Sequence, residues 1–286
     1  MGGGSWTTTS YVTHSTTTRG FASMDAFNSA TTQELYRSRR LDAALNPHNV
    51  MRECCDSEEH PKTKPVILAL DVTGSMGSAA EAVAKQLNDI MTAAYEKVQD
   101  VEFMTMAIGD LSYDEAPIQA SQFESDIRIA EQLEKVYFEG GGGGNSWESY
   151  TAAWFFGLHN TKLDAYNNRG QKGLIITIGD EPLNPYLPAG PLKEALGCSI
   201  QGDVETEDLY KEACEKFNIW HIGFNDRATS YSRYKDRGKM GGWEKLLGDH
   251  FVEATAQTLA NVIADIIDQS FNESGTVNVT ADGIGW

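Results

Sequence analysis

Short apolar runs and segments of helical spacing alternate along the chain from about residue 61 onwards. Five mostly apolar runs predict strands, at 65–70, 101–108, 173–178, 218–224 and, as a minimal last strand, 251–253. The runs at 65–70 and 173–178 are typical of strands buried on both faces of a sheet. Between and after the five runs, apolar residues recur at helical intervals, most clearly at 78–99 and 256–271. The pattern therefore predicts strands separated by helices.

This alternation predicts an α/β fold, namely a doubly wound, mostly parallel Rossmann-like sheet with helices on both faces. The short run at 117–120 begins with Pro117, which predicts one antiparallel edge strand because proline cannot donate to a central ladder. Ligand sites of such sheets gather at the carboxyl ends of the strands, near the point where the strand order reverses. That rule indicates Asp71, Asp110 and Asp180, each of which follows a predicted strand, and the glycine-rich segment at 140–146.

The segments that flank this region have a different composition. We predict an N-terminal extension rich in Gly, Ser and Thr at 1–60, a domain at 61–271 and a C-terminal tail at 272–286. The extension is richer in aromatic residues than disordered tails are. These residues are Trp6, Tyr11, Phe21, Phe27 and Tyr36. Two alternatives stay open, a mobile tail or a segment that packs on the domain or docks a partner.

Charge narrows the classes of partner. Asp and Glu total 41 against 23 Lys and Arg, which gives a net charge of -18. Such a surface repels phosphate backbones and anionic membranes, so we expect neither nucleic acid nor membrane as a partner, and it favours cations. The four cysteines show no metal-binding spacing, which disfavours zinc. The start of the chain lacks the pattern of a signal peptide, so we expect a cytoplasmic protein.

Candidate chemistry begins where the first buried run ends, in the sequence Asp71-Val72-Thr73-Gly74-Ser75. In a tight loop, alternate side chains can point the same way, so one carboxylate and two hydroxyls would share a point. Mg²⁺ prefers such hard oxygen ligands. The alternative is that Thr73 and Ser75 merely cap the next helix. Asp180, at the end of another apolar run, favours the metal interpretation.

These segments resemble the metal-ion-dependent adhesion site of von Willebrand factor A (VWA) domains. Residues 71–75 match the family motif Asp-x-Ser/Thr-x-Ser, 176–181 are similar to its second aspartate segment, and 140–149 (GGGGGNSWES) resemble its glycine-rich loop. The resemblance covers about 64–271. It implies a site for Mg²⁺, with Mn²⁺ or Ca²⁺ as alternatives. Asp71, Thr73 and Ser75 would be ligands, and Asp180 would bind through water.

The threonine that the family carries in its glycine-rich loop has no clear counterpart in this chain. By position it falls near Gly144 or Asn145, which carry no hydroxyl. We expect Asn145 and Ser146 to complete the metal site, with water as the alternative. Gly144, Trp147 and Glu181 flank these ligands and are the predicted partner contacts. For Trp147, packing in the core is the alternative.

The resemblance implies a binding function rather than an enzymatic one. The cation keeps one coordination position open, which an Asp or Glu of a protein partner fills. Intracellular relatives suggest an adaptor in an ATPase-associated complex, with an AAA+ ATPase of the MoxR type as a partner. One alternative is a structural component that forms homo-oligomers. Another is a metal-dependent hydrolase, for which the sequence supplies no clear general base. No Ser/His/Asp arrangement is evident, although a triad formed only in space stays open.

Overall fold

The computed structural model describes residues 4–141, 147–227 and 229–272. The strands in these ranges are β1 (Arg52–Cys54), β2 (Lys64–Asp71), β3 (Val101–Ile108), β4 (Ile118–Ala120), β5 (Thr161–Leu163), β6 (Gly173–Gly179), β7 (Tyr186–Leu187), β8 (Val204–Glu205), β9 (Phe217–Phe224) and β10 (Phe251–Ala254). The helices are α1 (Thr8–Thr13), α2 (Met24–Asn28), α3 (Thr32–Leu35), α4 (Gly77–Lys85), α5 (Leu87–Lys97), α6 (Arg128–Leu133), α7 (Ala152–His159), α8 (Asp164–Arg169), α9 (Ala189–Leu196), α10 (Thr206–Lys216), α11 (Tyr231–Asp236), α12 (Gly241–Leu247) and α13 (Leu259–Asn272).

Within the described ranges, six strands form the central sheet in the order β10-β9-β6-β2-β3-β4. All neighbours are parallel except β4, which runs antiparallel to β3 at the edge. The chain leaves β2 towards β3 on one side and later enters β6 on the other side. The strand order therefore reverses between β2 and β6, whose carboxyl ends carry Asp71 and Asp180.

Both faces of the sheet are covered by helices, and the apolar side chains of β2 alternate between the two cores that result. Val66, Leu68 and Leu70 join the core that contains α4, α5 and α13. Ile67 and Ala69 join the core that contains α7 and α10. The predicted doubly wound α/β fold with one antiparallel edge strand is confirmed.

Several elements differ from the sequence prediction. The helix expected at 78–99 is interrupted at Gln86, whose side-chain Nε2 donates to the backbone oxygen of Ala256 at 2.5 Å. Four short strands (β1, β5, β7 and β8) were not predicted, since two or three residues show no alternation. The chain forms no further helix between α3, which ends at Leu35, and β1, which begins at Arg52.

The N-terminal segment packs on the body of the protein, which was one of the two open alternatives. Tyr11, Phe27 and Tyr36 are buried in the same core as α4 and α5. The hydroxyl of Tyr11 donates to the backbone oxygen of Ala84 at 2.9 Å, and the hydroxyl of Tyr36 donates to that of Ala80 at 2.8 Å. The segment also contributes β1, which pairs in parallel with β5.

The C-terminal tail predicted at 272–286 lies outside the described residues, apart from Asn272. Among the helices that the structure describes, none has the length and apolar character needed to cross a membrane.

Phe27 tests whether the N-terminal segment contributes to stability. Its side chain is 1% exposed and its ring lies edge-on to Tyr11 and Phe21. We expect Phe27→Ala to lower the free energy of unfolding by about 3–5 kcal/mol, because a buried cavity replaces the ring. Tyr113→Ala, at a ring that is 60% exposed, should change it by less than about 0.5 kcal/mol. Equal effects of the two substitutions in urea unfolding would show that residues 1–60 form a mobile tail.

Candidate metal centre

The first half of the site is a closed loop of hydrogen bonds at the end of β2. Asp71 is fully buried. Its Oδ1 accepts from the backbone N–H of Thr73 at 2.8 Å and from the hydroxyl of Thr73 at 2.6 Å. A short Asp side chain readily makes such bonds to the backbone two residues further on. This local preference fixes the carboxylate and the hydroxyl beside each other.

The second half lies at the end of β6, across the point where the strand order reverses. The hydroxyl of Ser75 donates to Oδ1 of Asp180 at 3.2 Å. The backbone N–H of Ser230 donates to Oδ2 of Asp180 at 2.5 Å. Ser75 thus bridges the loop after β2 to the aspartate after β6. Among the described residues, the side chains of Thr73 and Ser75 make no capping bond to the helix that follows.

Tyr150 is a site residue that the sequence analysis missed. Its hydroxyl donates to Oδ2 of Asp71 at 2.6 Å and accepts from the backbone N–H of Glu181 at 3.3 Å. The ring reaches this position only because residue 179 is glycine. A Cβ atom on Gly179 would lie 2.2 Å from a carbon of the Tyr150 ring. No local pattern in the sequence reveals this contact, because it depends on two segments about 30 residues apart.

Stacked aromatic side chains hold Tyr150 in place. The ring of His221 stacks on Trp243 with centroids 3.6 Å apart, and both lie edge-on to Tyr150. Nδ1 of His221 lies 2.8 Å from the hydroxyl of Thr177, and the indole N–H of Trp243 donates to the backbone oxygen of Glu181 at 3.0 Å. These contacts pack the Tyr150 ring where its hydroxyl reaches Asp71.

The site brings several acidic side chains together away from water. Burial, followed by the charge of Asp180, raises the pKa of Asp71 to about 8. Burial also raises the pKa of Asp180. Burial and Asp180 raise the pKa of Glu181 to about 7, and burial and Asp71 raise that of Glu148 to about 11. A cation placed here would relieve the repulsion among these carboxylates and lower their pKa values.

Two further carboxylates, on Asp110 and Glu148, adjoin the centre. Both residues are buried, and Oδ2 of Asp110 and Oε2 of Glu148 have no hydrogen-bond partner among the described residues. Buried oxygens of this kind are costly unless a proton or a cation compensates them. The sequence marked Asp110 through its place after β3, and it included Glu148 only as part of the loop at 140–149, not as a site residue.

The donor set fits Mg²⁺. Asp71, Thr73, Ser75 and Asp180 supply two carboxylates and two hydroxyls, the hard oxygen donors that Mg²⁺ prefers, with water in the remaining positions. In the part of the chain that the structure describes, no group of three or more His, Cys, Asp or Glu residues is arranged to hold a metal ion. A Mg²⁺ site here would therefore depend on the hydroxyls of Thr73 and Ser75 as well as on the carboxylates.

The other predicted site residues have different outcomes. Gly144, Asn145 and Ser146 lie outside the described residues. Trp147 is 36% exposed, so it is not a core residue. Glu181 directly follows Asp180, and its Oε1 accepts from the hydroxyl of Tyr234 at 3.4 Å.

No protein-family model matches the chain, and no curated protein matches it. Among solved structures, it is similar to the pilus adhesin SpaC of Lactobacillus rhamnosus GG at 14% identity and a TM-score of 0.46, over 78% of this chain and 31% of that one. It is similar to BatB of Bacteroides thetaiotaomicron at 13% identity and a TM-score of 0.43, over 72% and 98% of the two chains. The VWA domain of SpRpn10 gives 13% identity and a TM-score of 0.40, over 73% and 95%. The matched part thus spans about a third of the adhesin. The function of the chain is therefore inferred from its own residues.

Tyr150→Phe tests the role of the tyrosine hydroxyl. The substitution keeps the ring but leaves Oδ2 of Asp71 without its donor, so we expect Mg²⁺ affinity to fall by about 10–100-fold in isothermal titration calorimetry. Tyr95→Phe is the matched control, since it removes a hydroxyl that donates to the backbone oxygen atoms of Val101 and Ser125. Unchanged affinity in Tyr150→Phe would remove this residue from the site.

The raised pKa values predict an unusual pH dependence without metal. Asp71 and Glu181 titrate near 8 and 7 in the folded chain, but near ~3.9 and ~4.3 when unfolded. Between these values the folded state binds more protons than the unfolded state. The contribution of the two groups to the free energy of unfolding is therefore fully present at low pH and is lost as pH rises towards 8. We expect the melting temperature in EDTA to fall over this range.

Added Mg²⁺ should weaken this fall, because the cation compensates the charge that appears on deprotonation. Asp71→Asn should also weaken it in EDTA, whereas the exposed control Asp249→Asn should not. A melting temperature in EDTA that rises from pH 5 to pH 8 would contradict the assignment.

Proposed function

We propose that the chain is a Mg²⁺-dependent protein-binding domain of the VWA type. The observation that carries the proposal is the junction of the two strand ends, where Ser75 joins the Asp71–Thr73 pair to Asp180. Oxygen donors from both sides of the strand reversal meet there, in the part of a doubly wound sheet where ligands bind.

Each residue has a distinct task in this proposal. Thr73 fixes Oδ1 of Asp71, and Tyr150 fixes Oδ2, so the carboxylate cannot turn away from the site. Ser75 and the backbone N–H of Ser230 fix Asp180 in the same way. A bound cation supplies a coordination position for a carboxylate of the partner. The chain therefore binds at this centre and performs no turnover there.

Charge explains why binding at this centre should depend on a cation. A protein with a net charge of -18 repels acidic side chains. A divalent cation reverses the local charge at one point, so an Asp or Glu of the partner is attracted there alone. Trp147, exposed beside the centre, offers an aromatic contact of the kind that contributes strongly to binding.

The resemblance of residues 71–75 and 176–181 to the adhesion-site motif supports a narrower proposal. It favours an adaptor in the cytoplasm whose partner is an AAA+ ATPase of the MoxR type. Mn²⁺ or Ca²⁺ could replace Mg²⁺ in the same oxygen donor set.

Asp71→Ala tests the proposal directly. We expect it to abolish Mg²⁺ binding in calorimetry and to remove the partners recovered by the wild-type chain in Mg²⁺ but not in EDTA. Asp249→Ala, at an exposed residue after α12, is the control and should recover the same partners as the wild type. Identical sets of partners with and without EDTA would refute the metal-contact mechanism.

A further inference from the structure

Three side chains from separate segments form a serine–histidine–aspartate arrangement away from the metal centre. Oγ of Ser125 lies 3.0 Å from Nε2 of His60, and Nδ1 of His60 lies 3.4 Å from Oδ1 of Asp100. A nucleophile within hydrogen-bond reach of a base, with the base oriented by a carboxylate, is the arrangement that activates serine in acyl transfer. The sequence could not reveal it, because the three residues lie at least 25 positions apart.

The arrangement borders a cavity of about 270 Å³. Trp6 and Tyr95 contribute aromatic surface to its lining, and Glu59 contributes a carboxylate. Gln99 adds an amide, a type of donor that can bind a developing oxyanion. The volume suits a small acyl group. The acidic lining disfavours anions and favours neutral or cationic esters.

The N-terminal segment closes this site with a backbone carbonyl group. The hydroxyl of Ser125 donates to the oxygen of Gly4 at 2.8 Å, and Nε2 of His60 lies 2.9 Å from the same oxygen. While Gly4 is seated, its oxygen accepts the proton that Ser125 would otherwise donate to His60. A carbonyl group also occupies the position that an acyl substrate would need.

We propose that Ser125 and His60 are the catalytic residues of a latent esterase centre, with Asp100 as the positioning residue and Gly4 as the plug. When Gly4 is displaced, Nδ1–H of His60 donates to Asp100, and Nε2 accepts from the hydroxyl of Ser125. The substrate class is a short-chain ester of neutral or positive charge.

The reaction balances with water as the only co-reactant. Oγ of Ser125 bonds to the ester carbonyl carbon while its proton passes to Nε2 of His60. The bond to the leaving alcohol breaks, and the alcohol takes that proton. A water oxygen then bonds to the acyl carbon, one water proton passes through His60 to Oγ of Ser125, and the Oγ–carbon bond breaks to release the acid.

This centre is independent of the proposed metal-binding function. His60 and Asp100 precede β2 and β3, whereas Asp71 ends β2. The two sites therefore lie at opposite ends of the parallel strands, and either one can fail its test without affecting the other.

Gly4→Ala is designed to displace the plug. Gly4 has φ +151°, and a Cβ atom there would lie 2.5 Å from Oδ2 of Asp126. That carboxylate cannot move aside easily, because Arg128 donates to both of its oxygens at 2.8 and 2.9 Å. Gly20→Ala is the matched control, since Gly20 also has a positive φ but nothing within 4 Å of a Cβ.

The readouts are labelling of the full chain by a fluorophosphonate probe, located by mass spectrometry, and hydrolysis of p-nitrophenyl acetate in EDTA. We expect Gly4→Ala to label at Ser125 and to hydrolyse the ester faster than both the wild type and Gly20→Ala. Adding Ser125→Ala should abolish both signals, and adding His60→Gln should slow them by about 100-fold or more. Adding Asp100→Asn should change the pH profile of acylation, which a purely structural role would leave unaltered.

A folded Gly4→Ala protein, checked by circular dichroism, that labels at Ser125 no faster than the control would overturn the proposal. So would hydrolysis that survives Ser125→Ala. If Gly4→Ala does not fold, Asn88→Ala decides in the same assays. It removes the acceptor, at 3.2 Å, of the Trp6 indole N–H and so loosens the segment that carries the plug.

Discussion

Two buried aspartates, Asp71 and Asp180, lie at the carboxyl ends of the neighbouring strands β2 and β6, on either side of the strand reversal. The contacts at this end of the sheet are arranged around them. A carboxylate removed from water must gain hydrogen bonds, a proton or a cation. Here Thr73 and Tyr150 bind the first aspartate. Ser75 and Ser230 bind the second. Position 179 must be glycine, because the ring of Tyr150 fills the space that a Cβ atom would need.

These hydrogen bonds fix the aspartates, but they do not remove the repulsion between them. Burial, followed by the charge of Asp180, raises the pKa of Asp71 to about 8, and burial, followed by the charge of Asp71, raises that of Glu148 to about 11. The chain keeps acidic groups together whose ionised forms would be more stable apart, as functional sites often do at the expense of folding. A bound divalent cation would compensate the charge of these buried carboxylates, which is the physical argument for the proposed Mg²⁺ site.

The long elements could be predicted from the sequence because each one carries a pattern of its own, either a helical period or an apolar run. β2 contains the apolar run at 65–70, and β6 is apolar except for Thr177. Both strands are buried on both faces, so the sequence identifies them clearly. Asp71, Thr73 and Ser75 share one loop, and their spacing is visible in the motif. Tyr150 and Ser230 could not be found this way, because their contacts with the aspartates arise only when distant segments meet.

The break in the helix predicted at 78–99 shows the same limit and links the N-terminal segment to the candidate metal centre. α4 begins directly after the loop that carries Ser75. Tyr11 and Tyr36 bind backbone oxygens along α4, and Thr32 binds Glu81 on the same helix. The local pattern predicted one long helix, but partners from outside it fix where α4 lies and where it ends. The position of Ser75 relative to Asp180 therefore rests on packing by a segment for which the sequence left a mobile tail open as an alternative.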